Sequence, residues 1–518
     1  MFNKYKIFSI SLKLLCLITT LLFSLFALNV EYLVFGQEED GDESIEGEQN
    51  IPDVNAAIGD ETTNIRDTTL RVETVAEGLE FPTTMAFLGP EDFLVLEKEK
   101  GTVQRIVNGI TLPEPALDVN VGASQERCMC GIAVSTSTPG HTYVFLYFTE
   151  TESVDREDIN EGNDPIGNRL YRYELVNDKL VNPKLLLDLP ATPGPRHNGG
   201  AIVIGPDNNL YIPVGDIDGT YQSEESETLA QNFPGGVQPD GRSGILRITQ
   251  DGSPVHSDSI LGNEPPLNLY YAYGIRNSFG INFDPVTGNL WDTENGPGEG
   301  DEINLVEPGF NSGWAQVQGI STSSADNNDQ DFNPVDLVDF DGRGTYSDPE
   351  FEWRTTLGPT ALIFLHSDRL GQQYQNDIFV ASIVTGNIYH FDLNEDRTQL
   401  VLAGELEDKI AETRETGTED IVFGEGFAGI SDLEVGPDGY LYVVSLGQGK
   451  IFRIVPGSTD ASTLLSPATE DTILTGDSEQ RRQDLDPIVE EGGDQQDGMD
   501  EEVDDEDNDV NEGGGEED

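Results

Sequence analysis

Short runs of apolar and polar residues, separated by turns, fill the chain from about residue 69 to residue 456. The runs at 143–148, 210–214, 377–380 and 441–444 are rich in β-branched and aromatic residues and lie next to Gly, Pro, Asp or Asn. Runs of this kind predict β-strands. No long helical periodicity interrupts them, so the pattern predicts an all-β fold.

A turn that leads into a strand recurs within this region. The segment Gly205-Pro-Asp-Asn-Asn-Leu-Tyr211 returns as Gly436-Pro-Asp-Gly-Tyr-Leu-Tyr442. A second unit, a Gly turn followed by a strand with one Arg, occurs at 244–248 and 449–454. Radially stacked four-stranded blades produce such repetition. We therefore predict a six-bladed β-propeller over residues 69–456, with long loops because each blade spans roughly 65 residues against about 40–45 in compact propellers. An array of β-sandwiches is the alternative.

The two ends differ from this middle region. Three lysines precede an apolar run at 14–35, so residues 1–37 are predicted to be a signal peptide or, if uncleaved, a membrane anchor. Residues 38–68 form an acidic linker. Residues 457–518 hold 23 acidic residues against two arginines, and we predict a disordered acidic tail because little apolar surface could be buried there.

The chain carries 97 acidic and 28 basic residues, for a formal net charge of -69. Binding to phosphate backbones requires clustered Lys and Arg, so this balance excludes a general nucleic-acid binder. An anionic membrane surface is disfavoured for the same reason. Most of the acids are expected to be solvated groups that keep the protein in solution.

Outside the signal segment the only cysteines are Cys128 and Cys130. A disulfide across so short a loop is strained, and no second cysteine pair exists for a zinc site. We expect two buried, unbridged residues.

Three loops contain the residue types that catalysis and ion binding need. His197 lies in the Gly-rich stretch 196–200, where it is either a hydrogen-bonded loop residue or a base acting near neutral pH. Arg276 and Asn277 lie between glycines, where they either tie loops together or hold an oxyanion or a cofactor carbonyl. The segment 294–304 combines carboxylates with a Gly-rich turn and offers the oxygen ligands that Ca²⁺ prefers.

These three loops occur in one order with several flanking motifs. The flanking motifs are Gly78-Leu-Glu-Phe-Pro82, Glu126-Arg127 with Gly131-Ile-Ala133, Asp301-Glu-Ile-Asn304 with Gly309-Phe-Asn-Ser-Gly-Trp314, and Ser431-Asp-Leu-Glu-Val-Gly-Pro-Asp-Gly439. Together they resemble the glucose/sorbosone dehydrogenase family over about residues 73–456. The resemblance implies a six-bladed propeller that oxidises aldose sugars with pyrroloquinoline quinone (PQQ) and Ca²⁺.

The resemblance also implies a role for each matching residue. His197 matches the base that removes the sugar C1 hydroxyl proton, and Arg276 matches the cation beside the quinone oxygen. Asn277 matches a position that contacts the cofactor, and Glu126 and Arg127 lie at further such positions, although Glu126 stands where the family has a glutamine.

A second group of positions matches the metal-binding residues of the family. The backbone carbonyls of Gly296 and Pro297 match ligands of the Ca²⁺ that polarises the quinone. Glu299, Asp301 and Glu302 are the acidic residues expected near this ion or near a further, structural Ca²⁺.

The sequence departs from the family pattern where the carboxylates of PQQ are anchored. Val384, Gly429 and Ser431 stand in place of a Lys and two Arg, and Ile275 replaces a histidine. A charge-assisted contact contributes roughly 1.5–3 kcal/mol, so losing three would weaken binding by about three to six orders of magnitude. The possible replacements are Lys98, Lys100, Arg127, Arg196 and Lys450.

The sequence thus predicts a secreted or cell-surface oxidoreductase that oxidises an aldose at C1 by hydride transfer to PQQ and passes electrons to an external acceptor. The partners expected are a small sugar and that acceptor, with a membrane only if the N-terminal segment stays uncleaved. Two alternatives remain open. One is a non-catalytic Ca²⁺-binding propeller that binds a glycan or protein, and the other is a metal-dependent sugar lactonase.

Overall fold

The computed structural model describes residues 62–152, 165–217, 227–255, 259–321, 333–414 and 417–457. The predicted segment 1–37, most of the linker 38–68 and nearly all of the tail 457–518 lie outside these residues. The part of the chain that the structure describes has no helix with the length and hydropathy needed to cross a bilayer.

Strands dominate the described residues, and the helices among them are single 3-10 turns. The helical turns are Leu229–Gln231, Leu267–Leu269, Pro334–Asp336, Gln372–Tyr374 and Gly404–Leu406. The strands are β1 (Asn64–Ile65), β2 (Leu70–Glu77), β3 (Pro82–Gly89), β4 (Asp92–Glu97), β5 (Thr102–Val107), β6 (Ile110–Thr111), β7 (Leu117–Asp118), β8 (Met129–Ser135), β9 (Tyr143–Glu150), β10 (Gly167–Val176), β11 (Lys179–Leu189), β12 (Val203–Ile204), β13 (Leu210–Val214), β14 (Gly244–Ile248), β15 (Tyr270–Tyr273), β16 (Ser278–Phe283), β17 (Leu290–Glu294), β18 (Glu299–Val306), β19 (Phe310–Asn311), β20 (Thr345–Tyr346), β21 (Phe351–Thr355), β22 (Pro359–Phe364), β23 (Ile378–Ser382), β24 (Ile388–Phe391), β25 (Ile410–Ala411), β26 (Val422–Glu425), β27 (Ile430–Val435), β28 (Leu441–Ser445) and β29 (Lys450–Pro456).

Within the described residues these strands form six sheets. Five of them contain four neighbouring antiparallel strands, which are β8 to β11, β12 to β15, β16 to β18 with β21, β22 to β24 with β26, and β27 to β29 with β2. Four-stranded antiparallel sheets arranged radially define a propeller. The prediction of an all-β propeller is confirmed.

The predicted count of six blades is not confirmed: five blades are found within the described residues, and the remaining sheet is incomplete. Its strands β3, β4 and β5 are full, but the two-residue strands β6 and β7 share its outer edge and both pair with β5. Pro113 and Pro115 lie between β6 and β7. Proline cannot donate to a strand ladder, so these residues interrupt the outer strand. The chain therefore has five complete blades and a truncated one.

The ring closes where the two ends of the described chain meet. Strand β2 pairs with β29 and joins the sheet formed by the last strands. Strand β27 lies beside both β3 and β22. Strand β1 pairs with β26, and Ile65 is only 6% exposed. The end of the predicted linker 38–68 therefore belongs to the propeller, because Ile65 packs with the core residues around Phe423.

The loop that carries His197 is pressed against β8. A Cβ atom on Gly131 would lie 1.6 Å from the carbonyl oxygen of Gly200, and one on Gly200 would lie 2.4 Å from the Cβ of Cys130. Only glycine permits backbones to approach this closely without displacing them. This contact fixes the His197 loop on its neighbouring blade.

Cys128 and Cys130 are joined in a disulfide, so the expectation of unbridged residues was wrong. The register of β8 against β9 shifts between Met129 and Gly131, which makes a bulge at Cys130. A bulge bends a strand locally, and here it brings the two Cα atoms to 5.1 Å. That separation lies in the usual range for a disulfide.

Replacing Gly131 with alanine should destabilise the propeller, since the new methyl group would collide with a backbone carbonyl that cannot rotate away. We expect a loss of about 2 kcal/mol or more in the free energy of unfolding, measured by urea denaturation. Gly89→Ala is the control, because no atom lies within 4 Å of the added Cβ. An unchanged unfolding midpoint for Gly131→Ala would contradict the close approach.

Candidate active site

His197 is held in a buried position by a carboxylate. It is 5% exposed, and its backbone lies in the left-handed region with φ 58°. Its Nδ1 lies 2.6 Å from Oδ1 of Asp216, which is 0% exposed. A carboxylate only accepts hydrogen bonds, so Nδ1 carries the proton and Nε2 is the ring atom that can act as a base.

Asp216 also connects His197 to two other loops. Its second oxygen, Oδ2, accepts a hydrogen bond of 2.8 Å from the indole Nε1 of Trp314. Its backbone N–H donates to the carbonyl oxygen of Arg276 at 2.9 Å. Burial works to raise the pKa of Asp216, but the hydrogen bond from His197 and the charges of His197 and Arg276 outweigh it and lower the pKa. Asp216 is thus a buried, charged acceptor.

Arg276 lies against the same tryptophan. Its guanidinium carbon is 5.4 Å from the centre of the Trp314 ring, a cation–π arrangement. Its Nη1 donates to the carbonyl oxygen of Asn295 at 2.7 Å, and its backbone N–H donates to Glu294 Oε1 at 2.6 Å. Its Nε is buried and has no hydrogen-bond partner among the described residues. The guanidinium is therefore fixed on one side and keeps unused donor capacity.

Glu126 bridges the loops of His197 and Asn277. Its Oε2 accepts a hydrogen bond of 2.7 Å from the backbone N–H of His197 and one of 3.4 Å from Nδ2 of Asn277. The amide oxygen of Asn277 is buried and has no partner within the described ranges. Arg127 instead donates through Nη2 to the carbonyl oxygen of Ala191 at 2.7 Å. Glu126 and Asn277 lie at the site, whereas Arg127 anchors the chain before His197.

The predicted Ca²⁺ loop adjoins this pocket. Asn295 donates through its backbone N–H to the carbonyl of Asn277 at 2.9 Å, and Gly296 follows it. Asp301 accepts from Gly296 N at 2.8 Å, from Leu357 N at 2.7 Å and from Gly358 N at 2.9 Å. Asp301 therefore shapes the turn by binding backbone N–H groups. Burial raises its pKa to about 6, although these hydrogen bonds oppose the rise.

The turn also contains the other residues predicted to hold an ion. Gly296 is half-buried, Pro297 is exposed, and Glu299 is half-buried at the start of β18. Glu302 points into the blade instead, where it is 1% exposed. The predicted metal residues thus divide between an open turn and a buried interior.

Glu302 belongs to a cluster of buried carboxylates that sequence reasoning did not foresee. The other members, each with no more than 2% exposure, are Asp292, Glu294 and Glu352, whose charges act on one another or on Glu302. Both carboxylate oxygens of Asp292 lack a hydrogen-bond partner among the described residues. Burial raises the pKa of Asp292 to about 7 and that of Glu302 to about 8.

Several carboxylates in so dry a region repel one another and are costly unless a cation compensates them. The donor set, carboxylate and amide oxygens with hydroxyl groups nearby, is the chemistry that Ca²⁺ prefers. Ser312 contributes such a hydroxyl, which lies 2.8 Å from Glu294 Oε2 and 3.3 Å from Glu302 Oε2. These oxygens are of the type that Ca²⁺ accepts, but within the described residues no three of these acids bring ligand atoms to within 4.8 Å of one another.

The basic residues considered as replacements for the missing anchors are mostly engaged elsewhere. Arg196 donates to Gln125 Oε1 at 2.5 Å, and Lys100 lies 2.5 Å from Glu80. Lys98 donates to the carbonyl oxygen of Ala123 at 3.1 Å. Burial lowers the pKa of Lys98, while the nearby charges of Glu99 and Glu126 oppose that shift. Lys98 therefore interacts electrostatically with Glu126, which lies at the site.

Replacing Asp216 with asparagine should reduce stability most at neutral pH. Because the folded pKa of Asp216 lies below its unfolded value, its contribution is present above about pH 4 and is lost as the pH falls through the folded pKa. We expect a loss of about 1–3 kcal/mol at pH 7 that shrinks toward pH 3, measured by urea unfolding. The exposed Asp396→Asn is the control. A difference that does not change with pH would contradict the charged, hydrogen-bonded state of Asp216.

Comparison with known proteins gives one consistent result. The family model for glucose/sorbosone dehydrogenase matches residues 79–453. An uncharacterised protein of Synechocystis is 28% identical over 73% of this chain and 85% of its own length. A crystal structure of a Thermus oxidoreductase, described as a glucose dehydrogenase, is 27% identical, covers 74% of this chain and 100% of that chain, and has a TM-score of 0.55. The PQQ-bound aldose sugar dehydrogenase of Streptomyces coelicolor shares the fold, with 23% identity, 74% and 98% coverage and a TM-score of 0.51.

The family model covers most of the described propeller and contains every loop of the pocket, from Glu126 to Trp314. The resemblance seen in the sequence is therefore confirmed, and the chain belongs to the glucose/sorbosone dehydrogenase family, whose members here are sugar dehydrogenase-type oxidoreductases.

Proposed function

We propose that this chain is an exported enzyme that oxidises the C1 hydroxyl of an aldose sugar, with PQQ as electron acceptor and Ca²⁺ at the turn of Gly296 and Pro297. The observation that carries the proposal is the convergence of His197 and Arg276 on Asp216 and Trp314. Membership in a family of sugar dehydrogenases and the PQQ-bound Streptomyces relative support the same activity.

His197 acts as the base of the reaction. Its Nε2 takes up the hydroxyl proton of the sugar, while Nδ1–H remains bound to Asp216. Asp216 is a positioning residue that orients the ring and stabilises the imidazolium cation. General base catalysis of this kind contributes roughly 10²- to 10⁴-fold to the rate. Trp314 donates a hydrogen bond to the second oxygen of Asp216 and so restrains the carboxylate from rotating.

The residues around Arg276 fit the dione end of PQQ. Its buried Nε and the amide oxygen of Asn277 have unused hydrogen-bonding capacity within the described residues. Arg276 and Asn277 would hold this end, and the backbone carbonyls of Gly296 and Pro297 would hold the Ca²⁺. When bound, PQQ supplies a two-electron acceptor that the side chains of this protein lack. Arg276 supplies a fixed positive charge beside that acceptor.

The carboxylate end of the cofactor meets fewer cations in this chain. Val384 packs near Gly358, and the hydroxyl of Ser431 donates to the carbonyl oxygen of Pro82 at 2.7 Å. Lys98 is the basic residue that lies in the field of Glu126. We therefore propose that the protein binds PQQ with low affinity, so that activity depends on a high cofactor concentration.

Reconstitution tests the activity directly. Purified protein incubated with excess PQQ and Ca²⁺ should reduce a redox dye when given a panel of aldoses. His197→Ala should lower kcat by about 100-fold or more while PQQ uptake, followed by its absorbance, persists. Failure to take up PQQ at saturating concentration would remove the proposal.

Other outcomes of this experiment point to the remaining alternatives. Glycan binding that survives His197→Ala without turnover would indicate a non-catalytic propeller. Hydrolysis of a sugar lactone with no electron acceptor present would indicate a lactonase.

Restoring one anchor should strengthen cofactor binding. Val384→Lys places a cation where the family pattern has one, and we expect PQQ to bind about 10- to 100-fold more tightly, as measured by fluorescence titration. Val401→Lys is the matched control, because Val401 is 55% exposed and lies in another part of the chain. Equal affinity in the two variants would show that the carboxylates of PQQ do not reach residue 384.

A further inference from the structure

A second group of metal-ligating side chains lies in the blade of β22 to β24 and β26, which contributes neither His197 nor Arg276. Asp377 immediately precedes β23, His390 lies in β24, and Asp392 follows the end of β24. One potential ligand atom of each residue lies within 4.8 Å of those of the others. The Nε2 of His390 is 2.9 Å from Asp377 Oδ2 and 3.8 Å from Asp392 Oδ1.

The strand register produces this arrangement. Strands β23 and β24 are antiparallel with Ile378 opposite Phe391, so Asp377 and Asp392 extend the ladder at directly opposing positions. His390 and Asp392 are two residues apart and therefore face the same side of the strand. Like charges directly opposite each other across a strand pair are destabilising. A bound cation would remove the repulsion between the carboxylates of Asp377 and Asp392.

The imidazole is oriented by aromatic neighbours. Its ring centre lies 5.1 Å from that of Tyr374 and 5.0 Å from that of Phe379, and Phe423 is 6.5 Å away. This packing directs Nε2 toward the carboxylates. The side chain of His390 is 20% exposed and that of Asp377 is 12% exposed, whereas that of Asp392 is 61% exposed. Two ligands are thus held by the fold, and the third faces solvent, where water can complete a coordination shell.

The positive charge available to these carboxylates is small. Among the described residues, His390 is the basic side chain with which Asp377 and Asp392 form ion pairs, and it is charged only when protonated. Arg397 lies nearby but donates through Nε to Asp284 Oδ2 at 2.6 Å and through Nη2 to the carbonyl of Asn376. Burial and the charge of Asp377 raise the pKa of Asp392, against the effect of His390.

We propose that Asp377, His390 and Asp392 bind a divalent transition metal ion, with Zn²⁺ as the expected ion and water in the remaining positions. One imidazole nitrogen and two carboxylate oxygens form a ligand set that Zn²⁺ accepts, whereas Ca²⁺ prefers oxygen ligands alone. The bound ion neutralises the opposing carboxylates and links β23 to β24. This site is separate from the pocket of His197 and does not depend on the proposed sugar oxidation.

Isothermal titration of the full chain with Zn²⁺, in the presence of excess Ca²⁺ to fill oxygen-only sites, tests the proposal. We expect one saturable site in the wild type, at least 100-fold weaker in His390→Ala and at least 10-fold weaker in Asp392→Asn. Because Asp392 is exposed, its substitution leaves the aromatic packing intact and keeps the test valid if His390→Ala is unstable.

The matched control is His141→Ala. His141 is an exposed histidine that lies 2.6 Å from a single carboxylate, that of Glu174, so it lacks the second acidic ligand. This variant should bind Zn²⁺ as the wild type does. Replacing Zn²⁺ with Co²⁺ should give visible absorption bands that Asp392→Asn alters and His141→Ala does not. Zn²⁺ affinity that is the same in the wild type, Asp392→Asn and His390→Ala would overturn the proposal, as would the lack of a saturable site in the wild type.

Discussion

The Asp216 carboxylate is the group on which the arrangement of the pocket depends. It is fully buried, and it satisfies its two oxygens with His197 and Trp314 while its backbone N–H binds the carbonyl of Arg276. A buried charge without such partners would cost several kcal/mol, so the surrounding loops cannot separate easily. One buried residue therefore sets the tautomer of His197 and also ties its loop to that of Arg276.

The cost of burying a charge divides the described acidic residues into two classes, exposed and buried. Several acids of the described residues, such as Asp188, Asp251 and Glu412, have side chains more than half exposed, so water can solvate their charge. The carboxylates of Asp292, Glu294, Glu302 and Glu352 lie inside a blade. Burial raises the pKa of the first three well above the usual range, and the charges of neighbouring carboxylates add to this rise at Glu294 and Glu302. A net charge gives no hint of this difference. The interior group is where ion binding would change the stability of the fold, whereas the surface group mainly affects solubility.

The strands, the propeller and the loops of His197 and Arg276 could be predicted from the sequence, because turn residues and short motifs are visible in neighbouring positions of the chain. It did not reveal Asp216 or Trp314, since their importance arises from contacts between loops that are far apart along the chain. The disulfide was missed because it requires a bulge at Cys130, and strand patterns do not show register shifts. The truncated blade could have been foreseen from Pro113 and Pro115, which prevent a continuous outer strand.

The pairing of β2 with β29 gives the ring a single seam. At this seam Leu70 lies opposite Pro456, and the backbone N–H of Gly457 donates to the carbonyl of Thr69 at 2.6 Å. Peptidase trimming after residue 457 would leave the seam complete, but removal of residues up to Glu77 would take away one of its four strands. Loss of the N-terminal strand β2 would therefore damage the propeller more than loss of the residues after 457, although β2 and β29 are neighbours in one blade.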